Sequence, residues 1–137
     1  MNFDKFIEIT YALINKHSAD LRCRHFSFII DKNKIISIGL NSLKTHPKNL
    51  KYNYVNKNNQ SISDIIGTHS ELSAVIKLGE EDCSGLTLVN TRINRNNELD
   101  YSAPCSGCRD MIKQLNFKNV YYSFDAEKFV KLNLTNS

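Results

Sequence analysis

Two short phrases hold the residues best suited to chemistry in this chain. His69-Ser70-Glu71 sets a histidine two positions from a carboxylate, and Pro104-Cys105-Ser106-Gly107-Cys108 sets two thiols three residues apart behind a proline. A Cys-x-x-Cys spacing admits two readings, a metal site or a small-residue turn that happens to carry sulfur. The first phrase also has a local reading, because Thr68 and Glu71 have the spacing of a capping box at a helix start. Together the two phrases say more. His69 falls in the first turn of one expected helix, and Cys105 and Cys108 fall in the first turn of another, where unsatisfied N–H groups and the helix dipole favour thiolate over thiol. One imidazole and two thiolates make three zinc ligands and leave the fourth tetrahedral position open to water, the pattern of a catalytic zinc rather than a closed structural one. Cys23 and Cys83 have no such context and read as core thiols.

The elements that must position these residues can be read from periodicity. Phe3, Phe6, Ile7, Leu13 and Ile14 recur at helical spacing, and Lys16 and His17 suit a helix C-terminus, so residues 3–17 are predicted as a first helix. The runs "HFSFII" and "KIISIGL", joined by "DKN", predict a β-hairpin. From Asn41 to Asp64 the chain is polar and Asn-rich without sustained period, long enough for a loop to suggest a function. "THSELSAVIKLG" then predicts a helix with a glycine stop, "GLTLVNTR" a buried strand, "CSGCRDMIKQLNF" a helix behind Pro104, and "NVYYSF" a further strand. The tail "DAEKFVKLNL" fits a short helix or, from its alternation, a return strand; the hairpin is preferred.

Size and composition set the limits. A chain of 137 residues, 41% hydrophobic, suits one domain with a real core, residues 1–137. No apolar run has the length of a membrane span, and the acid-bearing N-terminus does not resemble a secretory leader, so no membrane partner and a cytoplasmic location are expected. The net charge of +4 is modest, but no acid lies between Asp31 and Asp64, a window holding Lys32, Lys34, Lys44, Lys48, Lys51 and Lys57. Such a patch could attract phosphate.

The order H-x-E followed by P-C-x-x-C is the signature of zinc deaminases. With "HSE" and "PCSGC" in that order, the chain resembles the cytidine deaminase superfamily from about Leu21 to Ser123. Gly39-Leu40-Asn41 matches the Gly-x-Asn that ends the second strand of deoxycytidylate deaminases, and the phrase Lys44-Thr45-His46-Pro47 is similar to one in short phage-type cytidylate deaminases. Two departures stand out: Ser70 replaces the usual alanine between His and Glu, and Phe26-Ser27 replaces a Gly-Ala pair in the first strand.

The resemblance implies an α/β fold, a three-layer α/β/α sandwich around a mixed sheet of about five strands with both motif helices on one face. It implies zinc held by His69, Cys105 and Cys108, and Glu71 moving protons from water to the ring nitrogen and the departing ammonia. Asn41 would meet the sugar or base, the Ser70 N–H the base carbonyl, and a carbonyl near Ser102–Ala103 the leaving amine; Lys44 and His46 are the candidates for a phosphate. The expected enzyme is a hydrolase of cyclic amidines that converts the cytosine of a nucleotide or nucleoside to uracil, and a homo-oligomer. The alternatives are a deaminase of single-stranded DNA or RNA, since "KYNYVNK" interleaves Lys51 and Lys57 with Tyr52 and Tyr54, an adenine or guanine deaminase, and a zinc-binding domain without turnover.

Overall fold

The computed structural model describes residues 2–14, 24–41, 69–79 and 82–134. Helix α1 (Asp4–Ala12) buries Phe6 and Thr10, four residues apart and so on one face. It is shorter than the predicted 3–17: Leu13 already occupies the C-cap, and Lys16 and His17 lie outside the described residues. The hairpin forms as expected from β1 (Arg24–Asp31) and β2 (Lys34–Leu40). Lys32 and Asn33 both take positive φ, 49° and 68°, which gives the connection the twist that a two-residue hairpin turn needs.

Helix α2 (Ser70–Leu78) ends at Gly79, whose φ of 76° makes it a left-handed stop. Its N-cap is His69, one residue later than the capping-box reading placed it, and Thr68 lies outside the described residues. Strand β3 (Thr87–Ile93), helix α3 (Ser106–Gln114), and strands β4 (Asn119–Ser123) and β5 (Phe129–Lys131) complete the order among the described residues. The tail is therefore the return strand of a hairpin, as the alternation indicated.

The sheet runs β2-β1-β3-β4-β5, antiparallel except for the parallel β3–β4 pair. That one parallel pair requires a crossover, and α3 supplies it. Both faces of the sheet are covered. Phe26, Phe28, Ile30, Val89 and Ile93 pack towards α1 with Phe6, while Ile29, Leu88 and Val120 pack towards α2 and α3 with Leu72, Val75, Met111 and Ile112. The result is the expected three-layer sandwich around a mixed five-stranded sheet, with both motif helices on one face. Cys83, fully buried in the second cluster, is a core thiol as read; Cys23 lies outside the described residues.

One contact fixes how β2 meets α2. A Cβ at Gly39 would collide with the Ser70 carbonyl and the Ala74 backbone nitrogen, so strand and helix approach at backbone distance. Two residues away, the Ser37 hydroxyl donates to the Ala74 carbonyl at 2.7 Å. The start of α2 is thereby pressed against the strand that leads into Asn41. Among the described residues no helix is long and apolar enough to cross a membrane.

Candidate metal centre and active site

Two helix starts bring the two sequence phrases together. His69 caps α2 with an extended backbone (φ −70°, ψ 153°), and Cys105 caps α3 in the same way (φ −69°, ψ 169°). The Cys105 sulfur accepts from the backbone N–H of Cys108 at 3.5 Å, as an N-cap side chain does. His69 Nδ1 lies 3.3 Å from Cys108 Sγ and 3.6 Å from Cys105 Sγ, and the three atoms fall within 4.8 Å of one another.

The chemistry and spacing of this donor set fit zinc. A tetrahedral ion with bonds of about 2.3 Å to sulfur and about 2.0–2.1 Å to nitrogen sets N and S about 3.5 Å apart. Both N···S distances fall within a few tenths of an ångström of that. Three protein ligands leave one position for a fourth, so the group could hold a metal open to a small ligand.

Titration behaviour in the metal-free protein follows from the same contacts. Hydrogen bonding from Cys108 and then from His69 outweighs burial and pulls the Cys105 thiol down to about 4. The His69 imidazole is raised, first by its bond with Cys105, against burial that lowers it and with help from the Glu71 charge. Glu71 is raised as well, because burial outweighs the attraction of His69 and the Asn90 bond.

Glu71 stands on the first turn of α2 with only 6% of its surface exposed. Its Oε2 accepts from Asn90 Nδ2 at 3.0 Å and its Oε1 from the Ser70 hydroxyl at 3.2 Å. His69, Ser70, Glu71, Cys105, Ala103, Asn41 and His25 line one cavity of about 280 Å³. This is just below the usual size range for small-molecule sites, and in it a buried carboxylate lies beside three groups that could hold a metal, an arrangement able to transfer protons.

The structure thus gathers Glu71, His69, Cys105, Cys108, Asn41, Ser70 and Ala103 in one place. Asn41 is anchored by its Oδ1 accepting from the His25 N–H at 2.8 Å, and its own N–H donates to the His25 carbonyl at 3.3 Å. The Ser102 carbonyl accepts from Asn90 at 3.3 Å, which leaves Ala103 as the member of that pair on the cavity wall. Lys44, His46, Tyr52 and Tyr54 lie outside the described residues.

Sequence reasoning passed over His25 and Asn90. For Asn90 there was a signal, a lone amide inside the buried run "TLVNTR", and Ser27 interrupts "HFSFII" in the same way. For His25 the signal was its place at the open end of the hairpin, where the registered pairing sets it beside Asn41.

No protein-family model matches the sequence, and no curated protein sequence matches it. Solved structures do. The dCMP deaminase of cyanophage S-TIM5 in complex with dCMP and dUMP aligns over 89% of this chain and 82% of its own with a TM-score of 0.55 at 20% identity. Its apo form aligns over 93% and 88% with a TM-score of 0.53 at 18% identity. The cytidine deaminase of Burkholderia pseudomallei aligns over 99% and 95% with a TM-score of 0.58 at 13% identity. With high coverage of both chains and TM-scores above 0.5, the chain has the fold of these cytidine and dCMP deaminases.

Proposed function

We propose that residues 1–137 form one zinc-dependent hydrolytic deaminase domain that converts the cytosine moiety of a nucleotide or nucleoside to uracil with release of ammonia. The observation that carries this reading is a buried carboxylate, Glu71, sharing a small cavity with a His/Cys/Cys group of zinc-like spacing. Similarity of fold to a dCMP deaminase and a cytidine deaminase supports the substrate class.

Zinc held by His69, Cys105 and Cys108 would supply the activated water for attack. Glu71 would carry one proton of the attacking water to the ring nitrogen as oxygen bonds to the amidine carbon, and then carry the remaining hydroxyl proton to the amine, so that the C–N bond breaks and ammonia leaves. Its near-complete burial suits the task, since it keeps that exchange away from bulk water. The N–H of Ser70, an orphan donor at the first helical position, meets the base carbonyl. Asn41 meets the sugar or base, and Ala103 offers a carbonyl to the departing amine. Lys44 and His46 are the candidates to bind the phosphate if the substrate is a monophosphate, and the assembly is a homo-oligomer in the cytoplasm.

A substrate panel tests the reading. Purified protein is assayed by ammonia release on cytidine, dCMP, free cytosine, and single-stranded DNA and RNA. Turnover of cytidine or dCMP is expected; turnover of the oligonucleotides alone would replace the substrate class, and none on any arm would reject the activity. Glu71→Gln should keep zinc and fold while turnover falls by roughly 10²–10⁴, and undiminished turnover would remove Glu71 from the chemistry.

A further inference from the structure

The Glu71 carboxylate is held by a small polar ring that reaches across the sheet. Ser27 on β1 and Asn90 on β3 are direct cross-strand partners, and both side chains lie under the first turn of α2. Ser27 Oγ donates to Asn90 Oδ1 at 2.6 Å and lies 2.8 Å from Ser70 Oγ. Ser70 in turn reaches Glu71 Oε1, and Asn90 Nδ2 reaches Oε2. Ser27, Ser70 and Asn90 are each no more than 1% exposed.

The amide of Asn90 has one workable orientation. Its two N–H hydrogens serve Glu71 Oε2 and the Ser102 carbonyl at 3.3 Å, and its oxygen accepts from Ser27. Turned over, its oxygen would face a carboxylate and a carbonyl, three acceptors with no hydrogen between them. Ser27 must then give its single hydrogen to Asn90, so the Ser70 hydrogen is divided between Ser27 and Glu71. Asn90 is the only one of these groups that gives Glu71 a whole hydrogen.

Asn90 does a second thing. By binding Glu71 on α2 and the Ser102 carbonyl just before Pro104, it ties the two phrases of the site to one strand. The Ser102 hydroxyl closes the link by donating to the Asn90 carbonyl at 3.0 Å. An unpaired buried hydroxyl is costly, and here Ser27 is satisfied by Asn90 and Ser70, and Ser70 by Ser27 and Glu71.

We propose that Asn90 is the positioning residue for Glu71, and that Ser27 and Ser70 form with it a buried brace that sets the carboxylate against the cavity. The inference rests on the reading of Glu71 as the proton carrier. Asn90 touches no substrate on this reading; it acts on the chemistry through Glu71, and its bond to the Ser102 carbonyl holds the structure around it.

The test compares wild type with Asn90→Ala in two independent ways. In kinetics on whichever cytosine substrate the wild type turns over, Asn90→Ala should lower kcat on the order of 10²-fold, as misplacement of a catalytic group by about 1 Å does. KM should change by less than about 2-fold and zinc content should not change. In a Glu71→Gln background, Asn90→Ala should add nothing. A loss of thermal stability with kcat intact, or a full additional loss in the Glu71→Gln background, would overturn the brace. In crystals of Asn90→Ala, the Glu71 carboxylate should leave its wild-type place; an unmoved Glu71 would overturn the proposal whatever the substrate. That second arm keeps the inference separate from the activity, since an inactive wild type rejects the proposed function and still leaves the carboxylate to be located. Should Asn90→Ala not fold, Ser27→Ala removes one hydroxyl under the ring and should give a smaller loss of the same kind, in kcat rather than KM.

Discussion

The two faces of the sheet are built from the same strands and differ in kind. Towards α1, β1 and β3 present Phe26, Phe28, Val89 and Ile93, and where that face buries hydroxyls, as at Thr10 and Thr91, they bond each other at 2.7 Å. Towards α2 and α3 the same strands present Ile29 opposite Leu88, then, two residues along, Ser27 opposite Asn90. Period-two alternation therefore puts an aromatic and aliphatic layer on one side. On the other, an apolar floor gives way to a polar end beneath the helix starts that carry His69, Glu71, Cys105 and Cys108. One face is free to serve stability, and the other gives up part of its apolar packing to hold charged and ligating groups.

Breaking the polar face at its ligands should have the largest effect. Cys105→Ala combined with Cys108→Ala leaves one ligand of three, and metal content should fall from about one zinc per chain to background together with activity. Metal analysis of the purified variant decides it, and full occupancy would remove these sulfurs from the site. Breaking the dry face should act on stability instead. Phe28→Ala empties a fully buried position beside Phe6, whose ring centroid is 5.3 Å away, and should cost about 3–5 kcal/mol in denaturant unfolding. The fraction that stays folded should keep its kcat; a drop in kcat there would mean that the two faces are coupled.

A pH titration of the metal-free protein sharpens the contrast further. Cys105, pulled to about 4, should be alkylated by iodoacetamide near pH 6, where an ordinary thiol is protonated and slow. Because its folded value lies below its unfolded one, Cys105 contributes stability that is complete above about pH 9 and disappears as pH falls through about 4. His69 runs the other way: raised in the folded state, it contributes most below its ordinary value of 6.5 and loses that contribution as pH rises through the higher folded value. Alkylation of Cys105 that begins only near pH 8–9 would refute the lowered thiol.

Much of this was legible in the chain before it was folded. His69, Cys105 and Cys108 announced themselves because ligand type, spacing and order form one pattern, and the C-terminal hairpin showed in the alternation around Phe129–Lys131. The end of α1 was not legible: Leu13 and Ile14 continue the apolar period after the helix has stopped, and they pack on the α1 cluster from outside it. Nor was the brace. Ser27 and Asn90 lie 63 positions apart, and only the pairing of β1 with β3 says that the two isolated polar residues are neighbours. His25 escaped for the same reason, being defined by its strand partner rather than by its own surroundings.

The crossing at β3 also bears on time. His69 and Cys105 are 36 positions apart, and the strand between them pairs with β1 on one side and β4 on the other. Loop closure of that span is repaid only once the central strands have docked, so the ligand trio is expected to come together late on the folding route. Zinc should accordingly slow unfolding far more than it speeds refolding, because its bonds are missing from the transition state. Stopped-flow refolding and unfolding with and without the metal would show this as a shift of the unfolding arm alone, and a matching shift of the folding arm would place ligand assembly in the nucleus.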